Sequence, residues 1–155
     1  MKFVQLKENF FTVKKRIENA VQKVGRKKEQ ITLVCISKQR TVLEIKQLKE
    51  LGQIDFGENR LQELEQKAPQ LNGVRWHFVG NLQSNKARKV VEICEFINSV
   101  DSLKLLTKIN SAAKELEKVQ KIFLEVNVSG EKTKHGFAPN QIAEVLEAVK
   151  KAKEK

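Results

Sequence analysis

The chain has 155 residues, of which 40% are apolar, enough to bury a sizeable core within one domain. Its 30 Lys and Arg against 19 Asp and Glu leave a net charge of +11, which draws anionic partners at long range without saying which. Charges run from the first residues, no apolar run approaches the roughly 18 residues of a spanning helix, and Cys35 and Cys94 stand in no metal-ligand spacing, so a membrane span and a metal site are both excluded and a soluble, cytoplasmic protein is expected.

Taken in chain order, apolar residues first recur at helical spacing: Phe3, Leu6, Phe10, Val13, Ile17, Val21 and Val24, with Gly25 as a C-cap. This leading helix occupies 1–29. From residue 31 two kinds of segment alternate. "ITLVCIS" reads as a strand, "TVLEIKQLKELG" as a helix ending at Gly52, "IDFGEN" as a strand and "RLQELEQKA" as a helix stopped by Pro69. "VRWHFVG" is a strand, "SNKARKVVEI" a helix opened by Ser84, and "EFINSV" a strand. "SLKLLTKINSAAKELEKV" is a long helix, "KIFLEVNVS" a strand, and "PNQIAEVLEAVKKAKEK" a last helix with Pro139 near its start. The strands are short apolar runs, as expected when helices cover a parallel sheet. The chain is therefore α/β over 31–155, one domain in all, and either doubly wound or part of a (β/α) barrel. Both cysteines fall in apolar runs and read as small core residues.

Either architecture builds its site at the carboxyl edge of the sheet. Lys38 follows the first strand, Asn59 the second, His77 lies near the end of the third and Asn127 near the end of the fifth. By strand alternation Thr32, Val34, Ile36 and Lys38 share a face if the first strand runs on unbent, as do Phe123, Glu125 and Asn127. Each residue also has a plain structural explanation. Lys38 suits a surface lysine with its stem on apolar neighbours, and His77 a hydrogen-bonded core histidine. Asn59 suits a helix cap, and Asn127 a turn-shaping residue before "VSG".

The words around these residues carry more. "SKQR", "DFGENRLQE", "WHFVGNLQSNKAR", "NSVDS" and "LEVNVSGEKTKHGF" resemble, in order and spacing, the pyridoxal phosphate homeostasis protein family from about Ile31 onward. The resemblance implies a fold-type III (β/α) TIM-type barrel like the N-terminal domain of alanine racemase. It also implies pyridoxal 5′-phosphate carried as a Schiff base on Lys38, with Asn59, His77 and Asn127 lining the cofactor pocket. Lys86 and Lys134 are candidate secondary lysines for receiving or passing on the aldehyde. Schiff-base formation needs a neutral amine, and a lysine desolvated beside apolar walls has its pKa driven down.

Two departures from the family pattern stand out. Arg40 takes the place where the family often carries a second lysine, and a guanidinium forms no imine. About five βα units are present where a complete barrel has eight strands, so the phosphate grip that the family places on its later strands has no counterpart. An incomplete barrel leaves open sheet edges, from which weak cofactor binding and self-association are expected. The function implied is intracellular pyridoxal phosphate homeostasis without turnover, with cofactor-requiring apo-enzymes as acceptors and no catalytic residue assigned. A racemase-like enzyme would need a second acid/base. Nucleic-acid binding rests on charge alone, while Glu63/Lys67, Glu117/Lys121 and Glu147/Lys151 at i,i+4 read as solvated helix faces and no aromatic platform for bases is interleaved.

Overall fold

A computed structural model of the chain describes residues 3–153. Helix α1 spans Phe3–Lys23 and ends as expected, with Gly25 at φ +64° and the Arg26 N–H returning to Val21 O. Five βα units follow. Strands β1 (Cys35–Ile36), β2 (Asp55–Glu58), β3 (Arg75–Phe78), β4 (Phe96–Val100) and β5 (Lys121–Leu124) form one sheet. Helices α2 (Val42–Glu50), α3 (Leu61–Lys67), α4 (Ala87–Ile93), α5 (Leu103–Glu115) and α6 (Ile142–Lys153) alternate with them.

All four strand pairings are parallel, and the spatial order is β1-β2-β3-β4-β5. A doubly wound sheet reverses direction at a switch point, and this order contains none. Consecutive parallel strands are the arrangement of a (β/α) barrel, here an arc of five. Strand register then sorts the side chains. Phe56, Trp76, Phe78, Ile97 and Val100 turn to one face and pack with Ile45 of α2, Leu61 and Leu64 of α3, Val90 and Val91 of α4, and Leu105 and Ile109 of α5. Burying each such side chain contributes about 1.5–3 kcal/mol, so this helix-covered face is where the fold is held. The opposite face, the inside of the arc, carries Ile36, Gly57, His77, Phe96 and Phe123, and there Ile36 is 49% and Phe123 54% exposed.

Three elements are shorter than the sequence pattern predicts, each for a local reason. The expected strand 31–37 pairs only at Cys35 and Ile36, because β1 has one neighbour and the Leu33 carbonyl accepts instead from the buried Gln53 side chain at 2.7 Å. The expected helix 102–119 begins on its Ser102 cap and stops at Glu115. Glu117 turns left-handed at φ +50°, and Lys118 Nζ caps the carbonyls of Val91 and Cys94 at 2.5 and 2.6 Å. Residues 84–86 form a single 3-10 turn before α4, so Ser84 lies inside that turn and the N-cap position is Gln83, which makes no side-chain cap bond. Pro69 acts as expected, tightening 68–70 into 3-10 form after α3. A feature the sequence pattern left unnoticed is the reciprocal box at the start of α2, where Glu44 N–H donates to Thr41 Oγ1 and Thr41 N–H to Glu44 Oε2.

Candidate functional site

Lys38 lies at the carboxyl end of β1, but the strand does not run on to it. Residues 38–39 form a turn closed by Arg40 N–H to Ser37 O at 2.9 Å, with Gln39 in the left-handed region at φ +59°. Lys38 is exposed, not walled in by apolar side chains as the sequence reading supposed. What is buried is its surroundings. Ser37 is 3% exposed, and its hydroxyl donates to Glu58 Oε1 at 2.7 Å. Lys67 Nζ, reaching in from the last residue of α3, donates to Ser37 O at 2.8 Å, Glu58 Oε1 at 2.7 Å and Glu63 Oε2 at 2.8 Å. Glu63 Oε2 in turn accepts the Gln39 N–H at 2.8 Å. The residues on both sides of Lys38 are thus tied to one buried ionic cluster.

The electrostatics of that cluster are mutually supporting. Burial opposes the Lys67 charge, but its hydrogen bonds to Glu58 and Glu63 outweigh this and raise its pKa. The Lys67 hydrogen bond and then the Gln39 N–H hold the Glu63 carboxyl below its usual range. The sequence pattern gives no sign of a role for Glu58 and reads Glu63/Lys67 as a solvated pair. A usable signal was present, since Leu61, Leu64 and Lys67 recur at i, i+3 and i+6, which places the lysine on the buried stripe of α3.

Asn59 sits where β2 leaves the sheet, and its Oδ1 is buried without a partner among the described residues. It does not cap α3, whose N-cap position is Arg60 with no side-chain bond. The exit of β3 presses on it closely, for a Cβ at Gly80 would lie 2.4 Å from Asn59 O. His77 is the next-to-last residue of β3, near its carboxyl end as the sequence pattern predicts. Its ring lies on the inside of the arc, stacked on Phe96 at 4.5 Å with an 8° interplanar angle. Its Nε2 meets Asp55 Oδ1 at 3.0 Å, and Arg75 donates twice to the same carboxylate at 2.9 and 2.7 Å. A carboxylate only accepts, so Nε2 carries the proton and Nδ1 is left buried with no partner among the described residues. Burial works against the Asp55 charge, yet the bonds from Arg75 and His77 prevail and lower its pKa.

Asn127 follows its plain structural reading. Its Oδ1 accepts from Ser129 Oγ and Gly130 N–H at 3.1 and 3.0 Å, and its Nδ2 donates to Glu131 O and Lys134 O at 2.9 and 3.4 Å. The side chain is spent on folding the 128–134 loop, whose neck is the Val126–Phe137 bridge. Lys134 is exposed on that loop and Lys86 half-exposed in the turn before α4, so neither is gathered with Lys38 by a shared contact. The rim itself is crossed by Asp101, which meets His135 Nδ1 at 3.6 Å and Asn81 Nδ2 at 3.4 Å.

Other chemistry is quiet. Burial pushes the Cys35 thiol up to about 11 and the Cys94 thiol up to about 12, in keeping with small core residues. Among the described residues no group of three or more His, Cys, Asp or Glu side chains could hold a metal ion, and no helix is long and apolar enough to cross a membrane. A cavity of about 290 Å³ opens at the amino ends of the strands, between α1 and Arg75, away from Lys38. Of the i,i+4 pairs expected on solvated faces, Glu63/Lys67 forms but faces inward, while Lys121 bonds Glu95 and Glu147 is bonded by Lys150.

The arrangement is therefore an exposed lysine on a clamped turn, at the edge of a concave face that holds a stacked His–Phe pair and unpartnered polar atoms. Comparison with known proteins places it. The pyridoxal phosphate homeostasis protein of Pseudomonas aeruginosa is 37% identical over 145 residues, 92% of this chain and 63% of that protein. Among solved structures, PipY of Synechococcus elongatus with PLP bound superposes with a TM-score of 0.72 at 33% identity, covering 85% of this chain and 63% of that one. An uncharacterised protein of Bifidobacterium adolescentis superposes at 0.82 with 30% identity, covering 92% and 63%. The chain thus spans somewhat under two thirds of the length of these relatives. The family described as alanine racemase, N-terminal domain, matches residues 11–154. With that match along nearly its whole length and five consecutive parallel βα units, the chain belongs to the alanine racemase N-terminal domain family.

Proposed function

We propose that this chain binds pyridoxal 5′-phosphate through Lys38 and holds it for release to cofactor-requiring enzymes, without turning over a substrate of its own. The observation that carries the reading is the rim turn. Lys38 is exposed at the carboxyl edge of the arc while Ser37 is held by the buried Glu58 and Lys67 and Gln39 by the half-buried Glu63. PipY, a relative of the same fold, has been solved with PLP bound.

The residues present fit the ring of such a cofactor. The buried His77 ring stacks on Phe96 and Phe96 on the half-exposed Phe123, so the inner face carries a run of near-parallel rings. Asn59 Oδ1 and His77 Nδ1 are buried polar atoms without partners among the described residues, and such atoms are costly unless something satisfies them. The cofactor, when bound, supplies an aldehyde with which a neutral lysine amine condenses with loss of water. Lys38 supplies that amine, Ser37 and Gln39 hold its backbone, and His77 is kept in one tautomer by Asp55. Asn127 contributes by shaping the loop that carries Lys134. Turnover needs a second acid/base aimed at the far side of the ring, and none is assigned here. Half-exposed Ile36 and Phe123 on the inner face support self-association as a further part of the reading.

Absorbance titration of the purified chain and its Lys38→Ala variant tests this. A visible imine band in the first and none in the second is expected, and incubation with L-alanine should give no racemisation above the rate of the free cofactor. A band that survives Lys38→Ala overturns the attachment, and turnover removed by that substitution overturns the carrier reading.

A further inference from the structure

We infer that the Glu58–Lys67–Glu63 chain, buried at Glu58 and Lys67 and half-buried at Glu63, is a positioning device for Lys38, holding the 37–39 turn in a strained form that fixes where the lysine leaves the backbone. The inference rests on the reading of Lys38 as the attachment point and adds residues to it.

Three observations carry it. First, the charges are buried where apolar side chains would serve stability as well. Glu58 is 0% exposed and Lys67 7% exposed. Desolvating a pair of this kind offsets much of its attraction, so a buried ion pair is weak evidence of a stability role. Second, among the described residues the cluster's remaining side-chain bonds go to one short segment. Ser37 Oγ bonds Glu58, Ser37 O accepts from Lys67, and Gln39 N–H donates to Glu63. Lys38 is the residue between them. Third, Gln39 sits at φ +59°, a conformation uncommon for a side chain without glycine's freedom. Such strain persists only where the surroundings over-determine it, and the Glu63 carboxylate is the group that holds the Gln39 amide. A lysine side chain is long and flexible, so fixing its Cα–Cβ direction decides which part of the rim its amine samples.

The test uses the 155-residue chain in wild-type, Glu63→Ala, Glu63→Gln and Ser37→Ala forms. One readout needs no cofactor: amide hydrogen exchange at Gln39 should be protected in the wild type and exposed in Glu63→Ala. The other is labelling by pyridoxal 5′-phosphate fixed with borohydride, read by mass as the ratio of adduct at Lys38 to adduct at exposed Lys134. General unfolding would also draw the ratio toward one, so each variant is read only where its circular dichroism matches that of the wild type. That ratio should fall by about tenfold in Glu63→Ala, the order of one charge-assisted hydrogen bond. Glu63→Gln, which keeps an acceptor oxygen, should restore most of it. Ser37→Ala removes one hydroxyl bond and should lower the ratio several-fold, keeping the test open should Glu63→Ala fail to fold. An unchanged ratio in whichever variant folds overturns the positioning role while leaving Lys38 as the attachment point. A wild type without preference for Lys38 overturns the attachment point itself and the positioning role with it.

Discussion

Replacing Lys67 with methionine would remove the only cation bonded to Glu58 among the described residues, in a place water does not reach. Glu58 is fully buried, its Oε2 already lacks a partner, and Oε1 would keep only the Ser37 hydroxyl. Breaking a buried pair from one side costs about 3–5 kcal/mol, because the surviving charge stays desolvated. Against a total stability of about 5–15 kcal/mol that is a large share. At this chain length it corresponds to a fall in Tm of about 6–20 °C. Urea unfolding followed by circular dichroism would measure it. A Glu58→Gln, Lys67→Met double variant should recover a large part of the loss, since the neutral amide can still accept from Ser37. The pH dependence has a definite sign. Lys67 has its pKa raised in the folded state, so its contribution is fully present below the ordinary value of 10.5 and is lost as pH rises through the higher folded value. The wild type and the Lys67→Met variant should therefore converge in strong alkali. A loss under about 1 kcal/mol at neutral pH, below the range for breaking a buried pair, would refute the reasoning and mean that the pair is solvated.

Asp55, whose pKa is lowered when folded, stabilises above its ordinary 3.8, and that contribution disappears as pH falls through the lower folded value. An Asp55→Asn variant should therefore differ most from wild type near neutrality and least in strong acid, as read from urea midpoints across pH. Gly80→Ala should cost about 1–3 kcal/mol, because the new methyl meets the Asn59 backbone at 2.4 Å and neither strand exit can yield freely; an unchanged urea midpoint would contradict this. Pyridoxal 5′-phosphate should bind this chain far more weakly than it binds a full-length relative. Discrimination against unphosphorylated pyridoxal should be poor if, as the family resemblance implies, the phosphate grip lies on later strands, since losing even three charge-assisted bonds at about 1.5–3 kcal/mol each would amount to several orders of magnitude. Light scattering on the same samples should show self-association, and a monodisperse, phosphate-selective binder would overturn both expectations.

The architecture was legible because parallel strands under helices leave a plain mark: apolar runs such as "ITLVCIS" and "WHFV" between amphipathic stretches. What periodicity left open, barrel or doubly wound sheet, was decided by strand order, a relation between segments that no single window holds. The site was legible in part. Lys38 was found by its place after a strand and by the words around it, but the bend that exposes it turns on Gln39 at φ +59°, and glutamine gives no local signal for a left-handed turn. The place of His77 near the end of its strand is legible, but its partner is not, since Asp55 lies 22 residues away on the neighbouring strand. Lys67 was misread because an i,i+4 pair looks the same in sequence whether its face is wet or, as here, turned toward Glu58. Asn127 reads in sequence either as a ligand or as a turn former, and its four bonds into its own loop show the turn-forming role.

Borohydride reduction of the chain after exposure to pyridoxal 5′-phosphate, followed by peptide mass mapping, tests the central claim most directly. The predicted result is a pyridoxyl mass on the peptide containing Lys38, absent from Lys38→Ala and dominant over any label on Lys86 or Lys134. Label distributed evenly over exposed lysines, or concentrated on Lys86 or Lys134, would contradict it.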